Sequence, residues 1–205
     1  MNRIFLAGLL GGIVMFIWIH ISWTVLPLGS IGLSKLPNET AVLDALQKNI
    51  AENSGIYIFP GLWLENPPHQ DFVEKVTRYP SGILMYNAAG SRSIVTSHWL
   101  WVEFFTDLGQ GFLAVFLLSR TRLTTFSARL TFVLLVGILT ASATNVGYWN
   151  WYGFPWSYTF ACIFTQLLGF LWIGLIAAFV LKKQAFGVSS ARGFLPEIRR
   201  AILGG

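Results

Sequence analysis

The sequence predicts a membrane all-α fold: a four-transmembrane-helix bundle with a small α/β extracytoplasmic domain between helices 1 and 2. Three observations carry that prediction. The chain is 54% hydrophobic and 11% charged, with a mean hydropathy of +0.60, whereas an ordinary soluble domain has about 25% charged residues. Four apolar runs, Ile4 to Leu26, Thr96 to Ser119, Leu130 to Tyr148 and Ser157 to Leu181, each approach the roughly 20 residues that a spanning helix needs. Between the first two runs the sequence repeats itself with a period of 27. The expected boundaries are 1-27 for transmembrane helix 1, 28-95 for the extracytoplasmic domain, 96-181 for transmembrane helices 2-4, and 182-205 for a cytoplasmic basic tail.

The first run is longer than the apolar region of a typical signal peptide and no A-x-A cleavage site follows it, so it is expected to remain as an anchor. It contains Gly8-x-x-x-Gly12, a small-xxx-small spacing that lets another helix approach closely, within the same bundle or in a dimer. Gly109 and Gly111 offer the second span the same means of close approach, beside Asp107.

In the inserted domain Asp44, Lys48, Ser54, Gly55 and Ile56 recur as Asp71, Lys75, Ser81, Gly82 and Ile83. The repeating unit reads as a helix followed by a strand. Val42, Leu43, Leu46 and Ile50 form an apolar face after an Asn38 cap; Phe72, Val73 and Val76 do so after Pro67-Pro68. Asp44 to Lys48, Asp71 to Lys75 and Glu74 to Arg78 are acid-before-base pairs that mark solvated helix faces. The Ser-Gly pairs stop the helices, and Ile56 to Phe59 and Ile83 to Tyr86 read as short strands. Two helices over a two-stranded sheet make too small a core to stand alone, so the domain is expected to rest on the ends of the membrane helices.

The loop expected from Asn145 to Trp156 carries Tyr148, Trp149, Trp151, Tyr152, Phe154 and Trp156. Such residues favour the headgroup region and form an interfacial belt; a ligand lip is the functional alternative, with Asn150 and Pro155 defining a turn. After Lys182-Lys183, a short surface helix from Pro196 would lay Ile198, Ile202 and Leu203 on the membrane or a partner.

The net charge of +5 is distributed unevenly. Arg3, Arg120, Arg122, Arg129, Lys182, Lys183, Arg192, Arg199 and Arg200 fall on one side of a four-span topology, the positive-inside pattern. Both termini are therefore expected in the cytoplasm of a bacterial inner membrane, touching anionic lipid. Membrane lipids and membrane-protein partners are expected, and nucleic acid is not. Cys162, the single cysteine, leaves no intrachain disulfide, CxxC site or cysteine zinc cluster.

Function is sought where polar groups enter the bilayer. From Arg92 to Arg120 the only charges are Glu103 and Asp107, and an intramembrane acid costs about 2.5–3.5 kcal/mol to insert, so it faces a partner, a cavity or a proton path. His20 and Glu103 are level, roughly 10 Å below the outer surface at about 1.5 Å per residue. Thr140, Ser142 and Gln166 come within a turn or two of these acids. At about 100° per residue Glu103, Asp107 and Gln110 share a face, while His98 points to the opposite side, into the headgroup zone. His20, Glu103 and Asp107 are the candidate proton-handling set; Gln110, Ser142, Asn145, Trp149, Asn150, Trp151 and Gln166 are the candidate ligand-binding set. His20 and Glu103 read first as a hydrogen-bonded pair that fixes register; the functional alternative is a pair that exchanges a proton near neutral pH, as relays and quinone sites require. A metal site lacks a local motif such as H-x-x-x-H, and bis-histidine haem lacks a second inward histidine, so no metal is expected; the cofactor is open, with bound lipid, quinone or pigment as the classes considered. No nucleophile motif or phosphate-binding glycine loop is present. The leading expectation is a non-catalytic accessory or assembly subunit of a larger membrane complex. The alternatives are a small membrane enzyme or redox subunit acting on a lipid or quinone, and a proton or cation pathway.

Overall fold

The computed structural model describes residues 3–61, 71–92 and 96–182. Four helices in it are long and apolar enough to cross a membrane: α1 (Arg3–Thr24), α4 (Thr96–Ser119), α5 (Phe126–Tyr152) and α6 (Trp156–Val180). Their 22 to 27 residues rise about 1.5 Å each and so exceed the roughly 30 Å of a hydrocarbon core. The chain is thus a multi-pass membrane protein by the length and composition of its helices. Between α1 and α4 lie α2 (Glu39–Ile50), β1 (Gly55–Phe59), α3 (Phe72–Arg78) and β2 (Gly82–Tyr86).

The strands pair antiparallel, Gly55 opposite Tyr86 and Phe59 opposite Gly82. Their first residues, Gly55 and Gly82, are 27 positions apart, and so are their last. Tyr57 lies opposite Leu84, its own counterpart in the repeat, so an approximate two-fold axis passes through that pair. Tyr57 and Tyr86 pack edge to face, 6.4 Å between centroids. Neither α2 nor α3 contains a buried residue. Glu74 and Arg78 meet at 3.0 Å as a solvated i,i+4 pair, worth only about 0.3–0.5 kcal/mol.

Contacts divide the chain into two compact units. The first comprises residues 3–20, 104–139 and 166–182 of the described chain. Its core gathers Met15, Val115, Leu118, Val133, Phe170 and Ile173. Here α1 and α4 touch through backbone: a Cβ at Gly12 would lie 2.6 Å from Leu108 Cα, and one at Gly111 would lie 2.6 Å from Gly12 N. Gly8 and Gly12 therefore serve packing within the bundle. Gly109 does not join them, since it faces open space; two residues turn a helix by about 200°, so Gly109 and Gly111 cannot share a face.

Arg129, expected among the basic residues on one side of the spans, has a structural role as well. It is 1% exposed; its Nε donates to Leu123 O at 2.9 Å and its Nη1 donates to Leu181 O. Leu181 closes α6, where carbonyls lack helical partners and the dipole favours a cation. One guanidinium thus ties the α4–α5 connection to the end of α6.

The second unit comprises residues 21–61, 71–92, 96–103 and 140–165. Two sequence expectations change here, at Asn38 and at the α5–α6 connection. Asn38 precedes α2 but makes no side-chain cap hydrogen bond; at φ 52° it is left-handed, not in the extended conformation that aims a capping side chain at the first turn. The expected Asn145–Trp156 loop is mostly helix, because α5 continues to Tyr152 and only Gly153–Pro155 separate it from α6. Asn150 is helical, and the break falls at Gly153, whose φ of +67° suits glycine. Gly32 at φ +78° fits against Tyr158, whose backbone nitrogen would lie 2.9 Å from an added Cβ. The Pro67-Pro68 helix start and the tail helix from Pro196 lie outside the described residues.

Candidate functional site

Within the first unit α4 presents Asp107 and Gln110 on one face. Asp107 is 1% exposed, and Gln110 Nε2 donates to its Oδ1 at 3.4 Å. Gln110 Oε1 is sealed from solvent with no hydrogen-bond partner among the described residues. His20 Nδ1 lies 3.2 Å from Phe16 O, one turn back on its own helix, within reach to donate to that carbonyl. Its ring packs on Phe16 at 4.3 Å, and Phe16 meets Phe104 edge to face at 5.2 Å. Gln166, half-buried, belongs to the same unit. Among the described residues no three His, Cys, Asp or Glu side chains are grouped to hold a metal ion.

In the second unit Glu103 is half-buried and Ser142 is exposed. Asn145 Nδ2 donates to Ala141 O at 2.9 Å, turning back onto its own helix. Trp149 packs edge to face on Trp156 at 5.5 Å. His98 is exposed, and beside it Trp99 carries the Arg92 guanidinium 4.7 Å above its ring. Around the α5–α6 connection Tyr148 stacks on Tyr152 and Phe154 at 5.8 and 5.4 Å.

Asn150 and Trp151 come together elsewhere. With Tyr152 and Gly153 they form one wall of a cleft of about 420 Å³. The opposite wall is built from both repeats: Ile58, Phe59 and Pro60 at the end of β1, Ser81, Gly82 and Ile83 at the start of β2, and Phe72 and Val76 from α3. Among the described residues that line it there is no Asp, Glu, His, Lys, Arg or Cys. Its volume falls in the usual range for ligand clefts, and apolar walls with a few polar groups are their usual chemistry. Phe72 and Val76 are four apart, hence on one side of α3; that spacing was visible in the sequence, but their approach to Trp151 was not.

A second, more polar depression of about 520 Å³ is lined by Gln47, Glu52, Tyr86 and Ser91 among others. Tyr86 OH donates to Ala51 O at 2.8 Å and Ser54 Oγ accepts from Ala88 N at 2.9 Å, so hydrogen bonds within the domain hold its walls.

No protein-family model matches the chain, and no characterised protein or solved structure shows a significant likeness to it. The functional reading therefore rests on the chain's own sequence, the cleft and the buried polar residues of α4.

Proposed function

We propose that the chain is a non-catalytic multi-pass membrane protein, an accessory or assembly subunit of a larger membrane complex, which holds its partner at the cleft between the repeat domain and the aromatic end of α5. In this reading the domain is extracytoplasmic, both termini are cytoplasmic and the membrane is a bacterial inner membrane, as the distribution of Lys and Arg supports. The observation that carries it is the cleft's composition. Phe59, Phe72, Val76, Ile83 and Trp151 supply apolar and aromatic surface, the kind that anchors protein contacts, and among the described lining residues there is no charged group or thiol to act as acid, base or nucleophile.

The test is purification in mild detergent from the native membrane, followed by native mass spectrometry of wild type and Val76→Asp. A stoichiometric protein partner that is lost in the variant supports the proposal. Wild-type protein recovered alone, or a partner held equally by Val76→Asp, overturns it.

A second reading is favoured by Asp107, a carboxyl 1% exposed inside a spanning helix. Here the intramembrane polar set moves a proton or cation, or serves a lipid or quinone reaction. Proton flux into liposomes separates the two: it falls in Asp107→Asn under the second reading and is unchanged under the first.

A further inference from the structure

We infer that the connection leaving α1, Val25 to Leu36, is a lipid-embedded strap that runs along the bilayer surface and takes the acyl–headgroup boundary of that leaflet as its binding partner. Both ends of this connection are held. Val25 follows α1, whose 22 residues rise about 33 Å at about 1.5 Å each and so bring Thr24 to the edge of the hydrocarbon. Gly32 is fixed at the other end of membrane helix α6. Its Cα faces Tyr158 so closely that an added Cβ would lie 2.8 Å from Tyr158 Cβ and 3.0 Å from Ser157 Oγ, and Tyr158 is in the first turn of α6. Both anchor points are thus at one membrane boundary. Eight residues, 25–32, join them, with a 3-10 turn at Leu28–Ser30 in the middle, so the connection runs laterally.

Its chemistry fits that depth. Val25 is 69% exposed, Leu33 61% and Leu36 50%, yet no Asp, Glu, Lys or Arg occurs between Arg3 and Lys35. A loop in water is normally built from polar and charged residues, whereas an apolar strap ending in one lysine matches the order of a leaflet, acyl chains first and headgroups beyond. The following domain, by contrast, carries charged residues throughout, among them Glu39, Asp44 and Lys48 of α2 and Glu74, Lys75 and Arg78 of α3. This inference concerns a surface separate from the cleft and stands or falls independently of the accessory-subunit proposal.

The experiment uses the full chain, Cys162→Ala, in nanodiscs of phosphatidylcholine, spin-labelled in turn at Leu33→Cys and Leu36→Cys. Asp44→Cys on α2 is the aqueous control and Leu135→Cys, 59% exposed on α5, is the membrane control. Power saturation compares access of oxygen with access of a nickel chelate. The expected result is an oxygen-to-nickel ratio at Leu33 and Leu36 severalfold above that at Asp44 and approaching that at Leu135. A ratio equal to that at Asp44 overturns the inference in favour of a solvated loop. Poor access to both reagents overturns it in favour of a covering protein, whether a second copy or another chain.

Discussion

Replacing Gly111 with alanine would insert one methyl group where α1 and α4 touch. The added Cβ would stand 2.6 Å from Gly12 N and 2.7 Å from Gly8 O. Both are backbone atoms, so no side-chain rotation relieves the clash and the helices must separate. Overpacking of this kind costs about 1–3 kcal/mol, a factor of roughly 5 to 150 in the folding equilibrium at about 1.4 kcal/mol per decade. Gly109 supplies a control on the same helix, because nothing lies within 4 Å of its added Cβ. Gly109→Ala is therefore expected to be neutral, or to stabilise α4 by up to about 1 kcal/mol through helix propensity. The assay is unfolding in dodecyl maltoside by increasing mole fraction of dodecyl sulfate, followed by far-ultraviolet circular dichroism. Gly111→Ala should unfold at clearly lower dodecyl sulfate than wild type and Gly109→Ala should not. Equal midpoints for the two variants would refute close α1–α4 contact at Gly111, and with it the account of Gly8 and Gly12 as in-bundle packing residues.

Other perturbations test different parts of the fold. Arg129→Met should lower the same unfolding midpoint by an amount equivalent to about 1–3 kcal/mol, because the Leu123 and Leu181 carbonyls lose a charged donor; a wild-type midpoint would show that the guanidinium is dispensable. Gly32→Ala combines a left-handed φ with a crowded Cβ, whereas Gly90, at φ +73°, faces open space. Gly90→Ala should therefore cost only about 1–2 kcal/mol of backbone strain and Gly32→Ala more, read as faster proteolysis within residues 25–36 in the latter variant alone. Asp107→Asn preserves shape and should leave the unfolding midpoint near wild type, while Asp107→Lys should prevent stable folding, which fluorescence-detected size exclusion would report as aggregation.

Elements set by short-range chemistry were legible in the sequence. The boundaries of the second span, Thr96 to Ser119, coincide with those of α4, and the repeat located both strands, because Ser-Gly punctuation and β-branched runs act over a few residues. The end of α5 was misplaced because Asn150 and Pro155 read as turn formers, although aromatic packing such as Tyr148 on Tyr152 accompanies helix through Tyr152. The burial of Arg129 was not legible for a different reason. A basic residue near a span end is ordinarily a topology signal, and its burial depends on Leu181, 52 residues away. In the candidate site, the shared face of Asp107 and Gln110 follows from helical rotation alone. The cleft does not: Trp151 and Val76 belong to separate elements, and no local pattern brings them together.

The two-fold relation in the repeat domain bears on how such a cleft arises. A helix–strand unit that pairs with its own counterpart across a dyad is one that can associate as separate copies before any fusion. Within one chain the two halves need not stay alike, and here their environments differ. Phe72 and Val76 line the cleft; the positions 27 residues earlier hold Ala45 and Asn49, with Asn49 Nδ2 donating to Ala45 O at 2.7 Å. Ile58 and Ile83 face the cleft, whereas their counterparts Met85 and Ile56 are 69% and 70% exposed. The two halves thus share a frame but not their surroundings, since α3 and one end of the strand pair face the cleft while α2 and the other end do not.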